Sequence, residues 1–110
     1  MKIRRIEDMT RGWFVGGFEP TAWYTKDFEV GYRVHAKGSR ENHYHTVVTE
    51  INLMVSGSLK MQDQILKPGD IFIIEPWEIT NAEFLEDSGI ICVKVPSAND
   101  KRLLELVDNP

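Results

Sequence analysis

The chain contains 110 residues, of which 42% are hydrophobic and 27% are charged. These values exclude a disordered chain and predict one soluble globular domain spanning residues 1–110. The formal net charge is −4, with 13 lysines and arginines against 17 aspartates and glutamates, and the basic residues are scattered. We therefore expect no nucleic-acid partner, because nucleic-acid-binding proteins usually carry a basic patch.

The single cysteine, Cys92, excludes an intrachain disulfide framework and a zinc site built from cysteines. It lies in the apolar run 90–93, which predicts a small buried strand residue rather than a reactive thiol. The amino terminus is charged without a following apolar stretch, and no run approaches the length of a membrane span. We therefore expect a cytoplasmic protein with no membrane partner.

Turn signals recur at short intervals along the chain, and the runs between them are rich in β-branched and aromatic residues, as in an antiparallel sandwich or barrel. In the first clear strand, residues 28–36, apolar and polar side chains alternate. The pattern predicts that Tyr32 fills the barrel or lines a pocket with its hydroxyl, and that His35 is a solvated surface residue. The apolar face contains Phe28, Val30, Tyr32, Val34 and Ala36, and the polar face contains Glu29, Arg33 and His35.

Further strands are predicted at 47–55, 71–74, 80–84 and 90–95. The first of these is apolar on both faces, which predicts that a second sheet or a partner chain covers its outer side. The end of the chain differs, because Ser97 and Asp100 resemble a helix-capping box. Together with an apolar stripe, this predicts a short C-terminal helix. The stripe consists of Leu103, Leu104 and Val107.

The most informative segment contains His43, His45 and Glu50. Because side chains alternate along a strand, both imidazoles lie on one face, where they can hold one divalent ion with a nearby carboxylate. An unbroken strand would send Glu50 to the opposite face, so we expect a β-bulge between Thr46 and Thr49. The alternative is that both histidines are ordinary, partly exposed residues at the start of a strand.

The sequence His43-Tyr44-His45, with Glu50 after four further residues and Gly57 after six more, resembles the first motif of the cupin superfamily. The resemblance covers about residues 28–96. It implies an all-β fold, the double-stranded β-helix or jelly-roll-like β-barrel, here followed by the predicted short helix. It also implies that the two histidines and the glutamate are metal ligands, and that the protein is a homodimer.

The second cupin motif is degenerate in this chain. Gly69 and a turn at Pro76 remain, but Thr80 stands where cupins usually have a further metal-binding histidine. Cupins generally bind Mn, Fe, Ni, Zn or Cu, so the resemblance implies a divalent metal ion held by three protein groups and water. The positions predicted to line the pocket or to supply a fourth ligand are Thr80, Asn81, Glu78, Glu75 and Tyr32.

The resemblance implies a small-molecule ligand, and an aromatic and acidic rim around Trp77 favours a carbohydrate or nucleotide-sugar. No residue is identifiable as a catalytic base, so catalytic residues stay unassigned. Three functions remain open. The protein is a metal-dependent enzyme, a non-catalytic ligand-binding or sensing protein that has lost full metal coordination, or a partner-binding barrel whose interior is filled by side chains.

Overall fold

The computed structural model describes residues 1–104, and its regular structure there is one 3₁₀ helix, Ile6–Asp8, followed by β-strands. No helix in these residues is long and apolar enough to span a membrane. The strands are β1 (Trp13–Gly16), β2 (Trp23–Tyr24), β3 (Glu29–His35), β4 (Arg40–His45), β5 (Thr49–Ser56), β6 (Leu59–Met61), β7 (Gln64–Leu66), β8 (Ile71–Ile74), β9 (Thr80–Phe84), β10 (Ser88–Val95) and β11 (Lys101–Leu103).

The strands form two sheets, one with the order β2-β1-β3-β10-β5-β8 and one with the order β11-β4-β9-β6-β7. The long central pairs, β3 with β10 and β10 with β5, are antiparallel, as are β4 and β9 in the other sheet. From β3 onward the chain passes repeatedly from one sheet to the other, so the two sheets enclose a common interior. The predicted all-β barrel is therefore confirmed.

An apolar core fills part of this interior. A tight turn between β5 and β6 closes it, and Gly57 in that turn has φ of 81°. A Cβ on Gly57 would lie 2.2 Å from Ser88 Oγ, so this position of the histidine motif accepts only glycine. The core cluster consists of Met54, Leu59, Met61, Ile74, Ala82, Phe84 and Ile90.

The predicted C-terminal helix is wrong for the residues that the structure describes; Val107 lies outside them. Lys101–Leu103 forms β11, which pairs antiparallel with β4. The Ser97 hydroxyl does not cap a helix, because it accepts a hydrogen bond from Gly17 N and donates one to Glu29. A helix this short is marginal by itself, whereas the edge of β4 offers backbone partners to an extended chain.

The predicted orientation of β3 is also wrong. Val34 is 68% exposed, whereas Arg33 and His35 line an interior cavity. Because side chains alternate, Tyr32 shares the outer face with Val34. The interior beside β3 is a polar cavity rather than the apolar core, so the polar face of the strand points inward.

The outer face of β5 remains uncovered by residues 1–104. Ile51 and Leu53 are 40% and 39% exposed, and their neighbours Ile73 and Ile71 on β8 are 55% and 69% exposed. The second sheet covers only the inner face of β5, so the predicted cover of the outer side by a second sheet is not found among residues 1–104, and cover by a partner chain stays a prediction.

Candidate metal centre

The two histidines of the motif lie next to each other on β4. They point to the same side of the strand, as the alternation of side chains predicts, and both are buried. Their ring centroids are 5.2 Å apart. Tyr44, between them, points to the opposite side and stacks on Trp77 with a centroid distance of 5.6 Å. The strand therefore separates a polar inner pair from an aromatic outer pair.

Glu50 reaches the histidines from the other sheet. Its Oε2 lies 3.1 Å from His43 Nε2 and 2.8 Å from His45 Nε2. The predicted bulge is wrong in form, because β4 ends at His45 and residues 46–48 carry the chain across to β5. Glu50 nevertheless faces the two histidines, as the predicted bulge was expected to allow. One ligand atom from each of the three side chains lies within 4.8 Å of the others.

Asp100 holds this crossover in place, and sequence reasoning missed it. Its Oδ2 accepts hydrogen bonds from the backbone N–H groups of Thr46, Val47 and Val48, at 3.0, 2.7 and 2.9 Å. Its Oδ1 accepts a hydrogen bond from His45 Nδ1 at 2.7 Å. Metal-binding histidines usually donate their second ring N–H to a carboxylate or carbonyl. That rule predicts an acidic partner for His45, but the sequence does not show which acidic residue lies next to His45 in the fold.

The electrostatics of the cluster favour ionised carboxylates. Burial opposes ionisation of Glu50, but hydrogen bonds from His43 and His45 outweigh it and hold the pKa of Glu50 well below its usual range. Burial likewise opposes ionisation of Asp100, and the N–H groups of Val48 and Val47 with His45 lower its pKa. Burial lowers the pKa of His45, but the two flanking carboxylates raise it by more. The cluster therefore presents negative charge to the histidines.

Thr80 lies in the site but is engaged with His43. It belongs to β9, directly opposite His43, and is buried. Its Oγ1 accepts a hydrogen bond from His43 N at 3.2 Å and lies 3.3 Å from His43 Nδ1. The hydroxyl therefore orients the imidazole so that Nε2 faces Glu50. It occupies the position of the missing histidine without replacing its function as a ligand.

The other residues predicted for this position lie elsewhere. Asn81 is exposed and accepts a hydrogen bond from Gln62 N. Glu78 accepts hydrogen bonds from Gln62 and from the backbone N–H of Glu75, which is itself exposed. Tyr32 lies on the outer face of β3. None of these four residues lines the cavity, because they lie on the outer side of their strand or in the turn before it.

The ligand cluster opens into a cavity of about 190 Å³. Its lining includes two residues that sequence reasoning left out, Asn52 and Arg33, and one that it placed on the surface, His35. The His35 ring stacks on Phe84 at a centroid distance of 4.2 Å. Burial lowers the pKa of His35 and outweighs the opposing effect of Glu41. His35 is therefore a neutral wall residue rather than a solvated one.

Cys92 also lines the cavity, with Sγ 3.5 Å from Glu50 Oε1. Burial raises the pKa of the thiol, and the Glu50 carboxylate raises it further. A thiol that stays protonated is a poor nucleophile. The prediction of an unreactive, buried cysteine is consistent with these surroundings.

Comparison with known proteins gives no sequence relative, since no family model matches the chain and no curated protein matches it. Solved structures do match. A conserved protein with a double-stranded β-helix domain from Klebsiella pneumoniae superposes with a TM-score of 0.67 and 23% identity, over 74% of each chain. KdgF from a Halomonas species gives a TM-score of 0.60 and 23% identity, over 66% of this chain and 72% of that one. The chain has the cupin fold.

Enzymes are among the proteins that share this cupin fold. The DMSP lyase DddQ from Ruegeria pomeroyi has a TM-score of 0.66 at 12% identity, and the match covers 83% of this chain and 49% of the lyase. Identities this low establish the fold and leave the reaction open.

The donor set of this chain fits a divalent metal ion. Two imidazoles and one carboxylate converge, and each histidine has a hydrogen-bonding partner on its other ring nitrogen, Asp100 for His45 and Thr80 for His43. Imidazole and carboxylate together suit zinc, manganese, iron, nickel and copper, so the donor set does not select one metal. The cluster is therefore compatible with the metal site that the sequence predicts.

Proposed function

We propose that this protein binds a divalent metal ion through His43, His45 and Glu50 and uses it to act on a small molecule in the adjoining cavity. The observation that carries the proposal is the meeting of these three donors, from two sheets, at the wall of a cavity. A bound ion would act as a Lewis acid on a ligand oxygen.

The chain's own residues prepare the site for this role. Asp100 accepts a hydrogen bond from His45 Nδ1, which leaves Nε2 directed at Glu50 and at the ion position. Thr80 contacts Nδ1 of His43 and so orients this ring with its Nε2 toward Glu50 as well. The walls exclude solvent from one side, because Cys92 and Ile90 are buried. These residues hold the ligand set in one arrangement before any ion arrives.

A non-catalytic binding or sensing protein is the second candidate. The observation that favours it is Thr80, which replaces a fourth ligand and is fully engaged with His43. The third alternative, a barrel filled by side chains, is disfavoured by the cavity of about 190 Å³. That volume lies below the ~300–1,000 Å³ typical of sites for drug-sized ligands. It suits a single sugar or a molecule of similar size better than a nucleotide-sugar.

Metal analysis of the purified protein tests the proposal. We expect about one ion per chain in the wild type and none in the double variant His43→Ala/His45→Ala, because three ligands is the usual minimum for such a site. His35→Ala is the matched control, since it removes a cavity histidine that lies outside the cluster, and it should retain the ion. Equal metal content in the wild type and the double variant would refute the proposal.

We also propose a homodimer formed through the outer face of the six-stranded sheet. Two rows of apolar side chains cross β3, β10, β5 and β8 on that face, as the registers of the three strand pairs show. A contiguous apolar face on a small protein marks an interface, and a two-fold axis would bury each copy's rows against the other's. The rows are Tyr32, Ile91, Leu53 and Ile71, and Val30, Val93, Ile51 and Ile73. The cytoplasmic location and the absence of nucleic-acid and membrane partners stay predictions from composition.

A further inference from the structure

The cavity carries positive charge in a protein that is negative overall. Four cationic side chains and two acidic ones line it, a formal charge of +2 with neutral histidines, whereas the whole chain has a net charge of −4. A bound divalent ion would increase this difference. The cationic residues are Arg11, Arg33, Lys94 and Lys101, and the acidic residues are Glu41 and Glu50.

The two lysines already have partners. Lys94 Nζ lies 3.4 Å from Glu29, and Lys101 Nζ lies 3.7 Å from Glu41. The two arginines differ from the lysines, because within residues 1–104 no carboxylate lies within ion-pair distance of Arg11 or Arg33. Arg11 is exposed, whereas Arg33 is half-buried. Its guanidinium donates to the backbone carbonyl of Arg11 and lies over the Trp13 ring, 5.6 Å from the centroid. Arg33 is therefore held in position with its charge uncompensated.

The same sheet holds an unpaired polar group two strands away from Arg33. Asn52 follows Glu50 by two residues on β5, so its side chain points to the same inner face, and it is only 5% exposed. Its Nδ2 has no hydrogen-bond partner among residues 1–104. Buried amide donors are nearly always paired, because leaving one unpaired costs the free energy of removing it from water. An unpaired donor that lines a cavity points to a ligand acceptor.

We propose that the ligand of this site is a small carboxylate, whose carboxylate group pairs with Arg33 while Asn52 Nδ2 donates to a second oxygen nearer the metal ligands. The proposal rests on the proposed function and names the substrate class of the same cavity. A guanidinium matches a planar carboxylate with two parallel hydrogen bonds. A phosphate group fits less well, because the lysines that would share its second charge are already paired.

Binding of matched neutral and anionic probes to the metal-free protein tests the proposal. The probes are lactate against lactamide and mandelate against mandelamide, each with a hydroxyl oxygen beside the carboxylate or amide, measured by calorimetry at constant ionic strength, with inorganic phosphate as a further arm. We expect at least one carboxylate to bind about tenfold more tightly than its amide. Equal affinities in both pairs, no binding by either carboxylate, or stronger binding of phosphate would overturn the proposal.

Two arginine variants test whether Arg33 is responsible for the preference for carboxylates over amides. Arg33→Met should abolish it, whereas the control Arg102→Met, which removes an exposed arginine on β11 outside the cavity, should leave it intact. A preference that survives in Arg33→Met contradicts the assignment. Arg33→Lys, which keeps the charge without the planar fork, should retain part of the preference and serves where the methionine variant does not fold.

Asn52→Leu separates ligand binding from stability. The leucine removes an unpaired buried donor at nearly constant volume, so we expect a higher Tm together with weaker binding of the preferred carboxylate. A lower Tm with unchanged binding would show that Asn52 is structural. Because all of these probes are measured without metal, a protein that prefers carboxylates but carries no ion would contradict only the metal proposal, and the reverse result would contradict only this one.

Discussion

In an ordinary globular protein, the inner face of a sheet is apolar and the outer face is polar. The two faces of the six-stranded sheet show the reverse arrangement. On the inner face, β3, β10 and β5 present Arg33, Lys94, Glu50 and Asn52 to the cavity. On the outer face, the same strands and β8 present the two apolar rows described above. The sheet therefore hides its polar residues and exposes its apolar ones.

Both faces of such a sheet are unfavourable unless something compensates them. A polar interior is costly unless its charges are paired or bind a ligand, and an apolar exterior is unfavourable unless another surface covers it. The inner face has part of its compensation within the chain, in the pair Lys94–Glu29. The apolar outer face has no covering surface among residues 1–104. The proposed ligand would compensate the inner face of this sheet, and the proposed homodimer would cover its outer face.

The largest effect is expected from placing a charge on the outer face. Ile51→Glu introduces a carboxylate near the middle of the apolar rows in both copies of a two-fold dimer. An unpaired buried charge costs about 3–5 kcal/mol, so the dimer should dissociate at least about 100-fold more readily. Analytical ultracentrifugation over a range of concentrations measures this change.

A second substitution shows whether the effect is specific to that face. Ile65→Glu changes an isoleucine on β7 of the other sheet that is 55% exposed. It should leave the oligomeric state unchanged. A wild type that sediments as a monomer at all concentrations would contradict the homodimer, and equal effects of both substitutions would contradict its placement.

The sequence predicted β3, β5, β8, β9 and β10 and the histidine pair for a physical reason. His43 and His45 are two residues apart on one strand, so local alternation alone places them together. Gly57 follows from the tight turn that closes the motif, where no side chain fits. Features that depend on a short stretch of chain are readable because few alternative conformations compete.

The predictions that the structure contradicts depend on contacts that a strand makes with distant parts of the chain. The alternation in β3 was identified correctly, but it does not reveal which face meets the interior, and Arg33 and His35 were placed on the wrong side. Asp100 lies 55 positions from His45 in sequence. The hydrogen bond between Asp100 and the His45 ring is a long-range contact that no local sequence pattern indicates. The spacing of Asp100 from Ser97, by contrast, matches a helix-capping box and led to the wrong prediction.

Cys92 tests how well the inner face is closed. Its thiol pKa is raised by burial and by Glu50, so we expect alkylation by iodoacetamide to be about 100-fold slower than that of an exposed thiol. The comparison is an Ile65→Cys/Cys92→Ala variant, which moves the only thiol to an exposed position on β7 of the other sheet. Mass spectrometry at successive times gives both rates. Similar rates would mean that the cavity wall is open at Cys92.

Asp100→Asn tests the support behind the metal ligands. An asparagine retains one oxygen for the backbone N–H groups but places an amide donor opposite His45 Nδ1. The ring would then carry its proton on Nε2, where the ion binds, so metal affinity should fall about 10–100-fold. Competition with a chelator measures this loss. Asp70→Asn is the control, because Asp70 also accepts a backbone hydrogen bond but is exposed and lies outside the cavity.

The smallest effect concerns how pH changes the stability of the metal-free protein. The pKa values of Glu50 and Asp100 are lowered in the folded state, so their contribution is present above an ordinary carboxyl pKa of about 4 and is lost as the pH falls below it. The pKa of His45 is raised, so its contribution is fully present below about pH 6.5 and is lost as the pH rises through the folded value. The free energy of unfolding should therefore be greatest between these limits.

Urea unfolding at a series of pH values measures this profile. His45→Gln should remove the decline on the alkaline side but only weaken the decline on the acid side, because His43 still lowers the pKa of Glu50 and the N–H groups of Val48 and Val47 still lower that of Asp100. Metal should reverse the alkaline trend, because the ion competes with the proton for His45 Nε2 and binds more tightly as the pH rises. A wild type whose metal-free stability increases steadily above pH 6.5 would show that the two carboxylates do not hold a proton on His45. The inner face would then lack the charge arrangement around the ligand cluster on which the metal site depends.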